Sequence, residues 1–247
     1  VIQLPDSIVG LAIGAVVFPI FSEASGDASR KRFGDVYQKA VTGAIFLGVP
    51  IAAFFYVNAS DLVYVLFHRG QFDMTSVTLT STVLKPFAPS IVALFVISTS
   101  IRACYSGGWA KRVLVFAVIV FAIKYAATIL LPPWIGYAGI TVATTVAHAG
   151  FATLMVIFLT LKLPATEKPK FVWTIIMLPV VGVLAAAVTN YFNLIVTPFF
   201  EQGDFVRTIL KLVASGLILL LVYWLCISFL GMRKMFTVYF KRSSGEN

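Results

Sequence analysis

The chain has 247 residues, of which 60% are hydrophobic and only 12% charged, with a formal net charge of +9. Its mean hydropathy is +0.95. A soluble globular domain is about 45–50% apolar and about 25% charged, so this chain cannot cover a water-facing surface with polar groups, and the composition predicts an integral membrane protein.

A spanning helix needs about 20 mostly apolar residues, and seven runs qualify in chain order. Residues 1–21 form the first, interrupted at Pro5-Asp6-Ser7. Residues 40–57, 83–105 and 113–131 follow, the last ended by Pro132-Pro133. Residues 137–161, 171–194 and 205–230 complete the set, with Gly231 as a stop. A membrane β-barrel would need alternating segments of about ten residues; these runs are continuous and longer. The predicted fold class is an all-α polytopic bundle of about seven transmembrane helices. The opening VIQLPD begins inside apolar sequence, with no basic region or cleavage site before it. The chain is therefore expected to be a fragment lacking an N-terminal part.

Most linkers are short and carry breaker residues, as in SGGWAKR and KLPATEKPK. The longest, 58–82, contains LFHRGQF. Its aromatic residues suit the headgroup level, Gly70 permits a turn, and Arg69 is expected to face water or lipid phosphate. Residues 61–67 are expected to form a helix lying on the membrane surface. In the tail, Met232, Met235, Phe236, Tyr239 and Phe240 share one helical face, which suits a basic amphipathic helix on the inner surface.

The charges give a topology. With alternating helices, one side receives Arg30, Lys31, Arg32, Lys39, Lys111, Arg112, Lys162, Lys168, Lys170, Arg233, Lys234, Lys241 and Arg242. The other receives Arg69, Lys85, Arg207 and Lys211. The positive-inside rule makes the first side, and with it the C-terminus, cytoplasmic. The basic balance is thereby explained without nucleic acid.

Catalytic constellations are lacking. There is no HExxH, GxSxG, P-loop or aspartate-rich motif, and the two histidines are far apart. No catalytic residue, metal ligand or cofactor is assigned, and the chain is not expected to be an enzyme. Cys104 and Cys226 lie in apolar runs and read as packing residues. The better leads are polar residues within the spans, because a charge at the bilayer centre costs at least about 2.5–3.5 kcal/mol. Lys124 is mid-span and needs a cavity or a partner, unless it snorkels. Arg102, near a span end, either snorkels to the inner headgroups or serves a cavity. His148 reads as a hydrogen-bonded helix-interface residue or a functional one. Gln3 and Asp6 flank Pro5 at a broken helix start, which suits either a transport pathway or simple capping. GLAIG (Gly10, Gly14) and the Ala143/Ala147 pair permit close helix packing. Asn58-Ala59-Ser60 matches a glycosylation sequon, a pattern too frequent to weigh.

Four stretches in order resemble one family, the MurJ/MviN-type lipid II flippases of the MOP exporter superfamily. LFHRGQF resembles its LFxRGxF loop. QLPDSIVGLAIGAVVFPIFSEAS (residues 3–25) resembles its helix ending in FPxxS. SIRACYSGG resembles RAFYxxGD, with Arg102 on the Arg, and LPPWIGYAGITVATT resembles PPxxGxAGxxxAT. Trp109 departs from the Asp of GD, and Val113 stands near a usual Thr-Pro pair.

The resemblance implies a fourteen-helix transporter with two six-helix lobes and two further helices. Residues 1–161 would be the C-terminal lobe, incomplete at its start, 162–230 the two additional helices, and 231–247 a cytoplasmic tail. It implies movement of lipid II, an undecaprenyl-pyrophosphate-linked precursor, across the bacterial inner membrane by alternating access, for cell-wall synthesis. The implied partners are lipid II, membrane lipids and the missing N-terminal lobe. Cavity candidates are Gln3, Arg102 and Lys124; Arg69 and His148 are loop and interface candidates. The last two helices are expected to form the groove for the lipid tail. The alternatives are another MOP-type exporter (of lipid-linked oligosaccharides such as an O-antigen unit, or of drugs), an envelope-assembly scaffold, or a membrane enzyme completed by the missing part.

Overall fold

The computed structural model describes residues 19–24, 26, 30–166, 168–197 and 205–230, and among these there is no strand. Gln3, Asp6, the Gly10/Gly14 pair and the tail at 231–247 lie outside the described residues. After a helical segment at 19–24, the helices are α1 (Lys31–Val57), α2 (Ala59–Phe67), α3 (Met74–Phe87), α4 (Ser90–Ser106), α5 (Ala110–Leu130), α6 (Pro132–Ile135), α7 (Ala138–Lys162), α8 (Lys168–Val196) and α9 (Phe205–Phe229). Among the described residues, α1, α5, α7, α8 and α9 are each long and apolar enough to cross a bilayer, and α3 with α4 makes a sixth span bent by 46°.

The expected linker at 58–82 is mostly helix instead. The polar sequence MTSVTLTST conceals a stripe: Val77, Ser81 and Leu84 are buried one turn apart. Asp73 starts α3 by accepting the Ser76 N–H at 2.8 Å. Thr78 and Thr82 bond back to carbonyls four residues earlier, and Ser81 to one three residues earlier, at 2.9 Å. Hydroxyls satisfied by their own helix can enter a membrane cheaply. The expected span 83–105 therefore begins at Met74, and only 68–73 remains a true loop.

Prolines shape the bundle, because each removes an N–H and frees a carbonyl one turn back. In α1, Pro50 frees the carbonyl of Phe46, and the Tyr223 hydroxyl of α9 donates to it at 3.1 Å. At the α3–α4 bend, between Pro86 and Pro89, Ala88 N–H is shared by the carbonyls of Leu84 and Lys85. Thr145 of α7 donates to the Pro86 carbonyl at 2.7 Å, and its Oγ1 lies 3.0 Å from Ser90 Oγ. Hydroxyls from neighbouring helices thus satisfy backbone groups that lipid could not.

The long helices pack side by side in the order α5, α7, α4, α1, α8, α9, with α2 and α3 at the Val57 end of α1. Close approach relies on small residues. Ala143 and Ala147 are buried on α7, as their spacing predicted. A Cβ on Gly182 of α8 would run into the Val49 side chain of α1. Tyr37 of α1 and Ser100 of α4 share a buried hydrogen bond of 3.0 Å. At the edge, α5 buries only Val113 and Val120.

Candidate functional site: an apolar groove and the cations around it

Two grooves run along α8. One, of about 560 Å³, lies between α8, α7 and α4, with Leu161 and Phe171 at one end. The other, of about 610 Å³, lies between α8, α1 and α4, and reaches Tyr56, Lys85 and Asn190. Pro89, Val92 and Pro179 line both, so the two join into one path. From Phe171 to Asn190 that path follows α8 for nineteen residues, about 28 Å at helical rise, which is close to the bilayer's hydrocarbon thickness of about 30 Å. Its lining is almost wholly apolar, and no carboxylate lines either part among the described residues. These two grooves are lined by α8 but not by α9, the other helix expected to form the groove for the lipid tail. Their opposite walls are α1, α4 and α7. Helix α8 also packs against α9, which touches α1 as well.

A polar node pins this wall in place. Asn58, at the α1–α2 junction, is 1% exposed. Its Oδ1 accepts from Asn193 Nδ2 of α8 at 3.0 Å and from Ser215 Oγ of α9 at 2.9 Å, while its Nδ2 donates to the Phe54 carbonyl at 3.1 Å. An amide so enclosed is not open to glycosylation. Beside it, Lys211 of α9 pairs with Asp61 of α2 at 2.9 Å, both largely buried. The helix expected at 61–67 is therefore real, but one face packs on the bundle rather than only on lipid.

The candidate residues do not gather into one site. Arg102 is half-buried on α4 and donates to Ser98 Oγ at 2.7 Å, one turn back along its own helix. Lys124 is half-buried on α5, four residues after Val120 and eleven after Val113, the two buried residues of that helix. Those spacings place Lys124 on the packed stripe of α5 rather than on its lipid-facing side. Its ammonium has no hydrogen-bond or ion-pair partner among the described residues. His148 of α7 lies against the Phe87 ring beside the α3–α4 bend, with centroids 6.1 Å apart.

The loop 68–73 is tied internally. Arg69 donates to the Leu66 carbonyl at 3.1 Å, and Gly70 takes φ 62°. His68 Nδ1 lies 2.9 Å from the Phe72 carbonyl and its ring stacks on Tyr64 at 4.6 Å. Phe67 and Phe72 rings meet at 5.9 Å. The Ser76 N–H, and more weakly His68, hold the Asp73 carboxyl below the usual carboxylate range. Arg69 thus has a structural task in this loop besides the exposure expected for it.

Sequence reasoning counted Lys85 only as an outer-side charge. The signal that marks it is the motif LKPFAPS, where two prolines bracket a break just after a lysine. Asn58 was visible only as part of a sequon. No group of three or more His, Cys, Asp or Glu able to hold a metal occurs among the described residues.

Among known proteins, the family model described as "Lipid II flippase MurJ" matches residues 1–239. A probable lipid II flippase MurJ of Rhizobium tropici is 28% identical over 159 residues, covering 64% of this chain and 30% of that protein. The lipid II flippase MurJ of Burkholderia cenocepacia is 23% identical, covering 73% of this chain and 34% of that protein. A solved structure titled "Lipid II flippase MurJ, inward closed conformation" superposes with a TM-score of 0.71 at 16% identity, over 92% of this chain and 45% of that one. The chain therefore spans about a third to a half of the proteins it matches.

Proposed function

This chain belongs to the MurJ lipid II flippase family, and from that premise we propose that it forms the second half of a transporter for lipid II. On this reading residues 1–161 belong to the C-terminal lobe, 162–230 add two helices, and 231–247 form a cytoplasmic tail. The protein resides in the bacterial inner membrane with its C-terminus inside, and an N-terminal lobe outside this chain completes a polar cavity. No catalytic group is needed, because translocation makes and breaks no covalent bond.

The observation that carries the proposal is the apolar path along α8, which runs close to the depth of the hydrocarbon core. A lipid-linked sugar has two incompatible ends. Its anionic head needs a wet, cationic route, whereas its tail is best left in an apolar trough throughout. The trough is lined in part by α4, which carries Arg102, and by α7, against which α5 with Lys124 packs. Lys124, on the packed face of α5, and Arg102, near the end of α4, serve the head's route. Gln3 belongs to the same route by its place in the first span. Arg69 and His148 act structurally, in the outer loop and at the bend.

The test is depletion of the full-length protein in its host, followed by labelling of outward-facing lipid II. Loss of outward lipid II with accumulation inside is the expected result. Unchanged exposure, in a host with no second flippase, would refute it in favour of another lipid-linked cargo or a scaffold role. The chain alone is expected not to complement a flippase-deficient strain.

A further inference from the structure

Lys85 is chemically out of place. It ends α3 at the Pro86–Pro89 break and lines a groove whose other walls include Val49, Ala53, Val92 and Val183. Its ammonium has no hydrogen-bond or ion-pair partner among the described residues. Lys211 meets Asp61, Arg32 meets Glu23 and Lys168 meets the Thr160 carbonyl, whereas Lys85 shares its lack of a partner with Lys124 but, unlike it, lines this groove. The last turn of a helix favours a cation, but that field leaves the three N–H donors of an ammonium unmet. Tyr56, with its hydroxyl, and Asn190, with its amide, are the other polar residues lining the same groove. Together they give an otherwise apolar path a donor-bearing, cationic mouth, with no carboxylate among the described residues of its walls. Such a mouth selects an anion with several acceptor oxygens.

The path also selects the chain attached to that anion. A bilayer phospholipid keeps its acyl chains within one leaflet, about half of the roughly 30 Å core. The path along α8 runs about 28 Å, so such a chain would fill only part of it. A polyprenyl chain can occupy its whole length.

We propose that Lys85, with Tyr56 and Asn190, is the phosphate anchor at the outer mouth of the α8 groove, holding the pyrophosphate of a polyprenyl-linked lipid whose chain lies along it. The proposal rests on the transport reading above and on its orientation. It adds a station at which the cargo is held after its head has reached the outer side, before release into the outer leaflet.

The experiment uses the full-length protein in phosphatidylcholine nanodiscs, with undecaprenyl pyrophosphate as the probe. Lys85→Gln is expected to weaken binding about tenfold, and Lys85→Arg to restore most of it. Undecaprenol, which lacks phosphate, should bind wild type and Lys85→Gln alike. Added salt should weaken binding to the wild type more than to Lys85→Gln. Lys85 is exposed, and a melting curve for each variant separates lost binding from lost fold. Equal binding of the pyrophosphate to wild type and Lys85→Gln overturns the proposal, leaving Lys85 a helix-end cation. Phosphatidylglycerol competing with the same dependence on Lys85 also overturns it, making the mouth a general phospholipid site. Outward labelling of lipid II in vesicles containing the wild-type protein separates the two readings. No outward lipid II sinks the transport reading; outward lipid II with Lys85-independent binding sinks only the anchor.

Discussion

The Asn58 node offers the sharpest test of how the last two helices are held. Replacing Asn58 with Ala removes three hydrogen bonds, two of them to other helices. Ser215 can turn its hydroxyl to a carbonyl of its own helix; Asn193 Nδ2, on a residue only 8% exposed, is left without its acceptor. Interhelical bonds in membranes average about 0.6 kcal/mol and reach about 1.7, so two of them give a loss of about 1–3 kcal/mol. Thermal unfolding of the full-length protein in detergent is the assay, run on Asn58→Ala, Asn193→Ala and the double variant. A coupling of about 0.6–1.7 kcal/mol between the two positions is expected. Strict additivity would show that α8 is not docked through this amide and would refute the reasoning.

Other outcomes follow from particular contacts. Gly34→Ala should destabilise by about 1–3 kcal/mol, because a Cβ there meets the Pro164 backbone, whereas Gly43→Ala meets nothing and should be neutral or stabilising; melting curves for both decide this. Asp61→Ala leaves Lys211 partly buried without its partner and should lower stability, while reversing the pair (Asp61→Lys with Lys211→Asp) should recover part of the loss. Lys124→Ala should impair complementation by the full-length protein with an unchanged melting temperature; normal growth would mark it as a bystander. The Asp73 cap strengthens α3 only when ionised. Its native pKa is depressed, so its contribution is complete above the ordinary aspartate value of about 3.9 and disappears as pH falls through the lowered native value. Asp73→Asn should remove that acid dependence, as read by hydrogen exchange at the start of α3.

The spans were legible because apolar length is a strong signal in sequence, and α5, α7, α8 and α9 match the predicted runs within a few residues. The stretch 58–82 was not. Its Ser and Thr residues resemble loop composition, and only pairing each hydroxyl with its own backbone reveals a helix. Lys124 was singled out as a candidate because a mid-span charge stands out. Lys85 and Asn58 were missed for the opposite reason, since each sits at a boundary where polar residues look ordinary. That α1, α4 and α7 line grooves along α8 depends on how the helices pack, and no local pattern encodes that.

The carbonyls at the proline sites join these observations. Tyr223 reaches from α9 to the carbonyl that Pro50 frees in α1, and Thr145 reaches from α7 to the Pro86 carbonyl at the α3–α4 bend. The first bond, with the Asn58 node and the Gly182–Val49 contact, fixes α8 and α9 to α1 at several levels. The second, with the Thr145–Ser90 hydroxyl contact, comes from one α7 residue at a break where regular helix hydrogen bonding is interrupted. The groove therefore has one wall held at several points and an opposite wall that includes the bend. Lys85 lies at that bend. On the proposed reading, release of a bound chain would be easier by a change at α3–α4 than by α8 peeling from α1, and Lys85 would move with the same change.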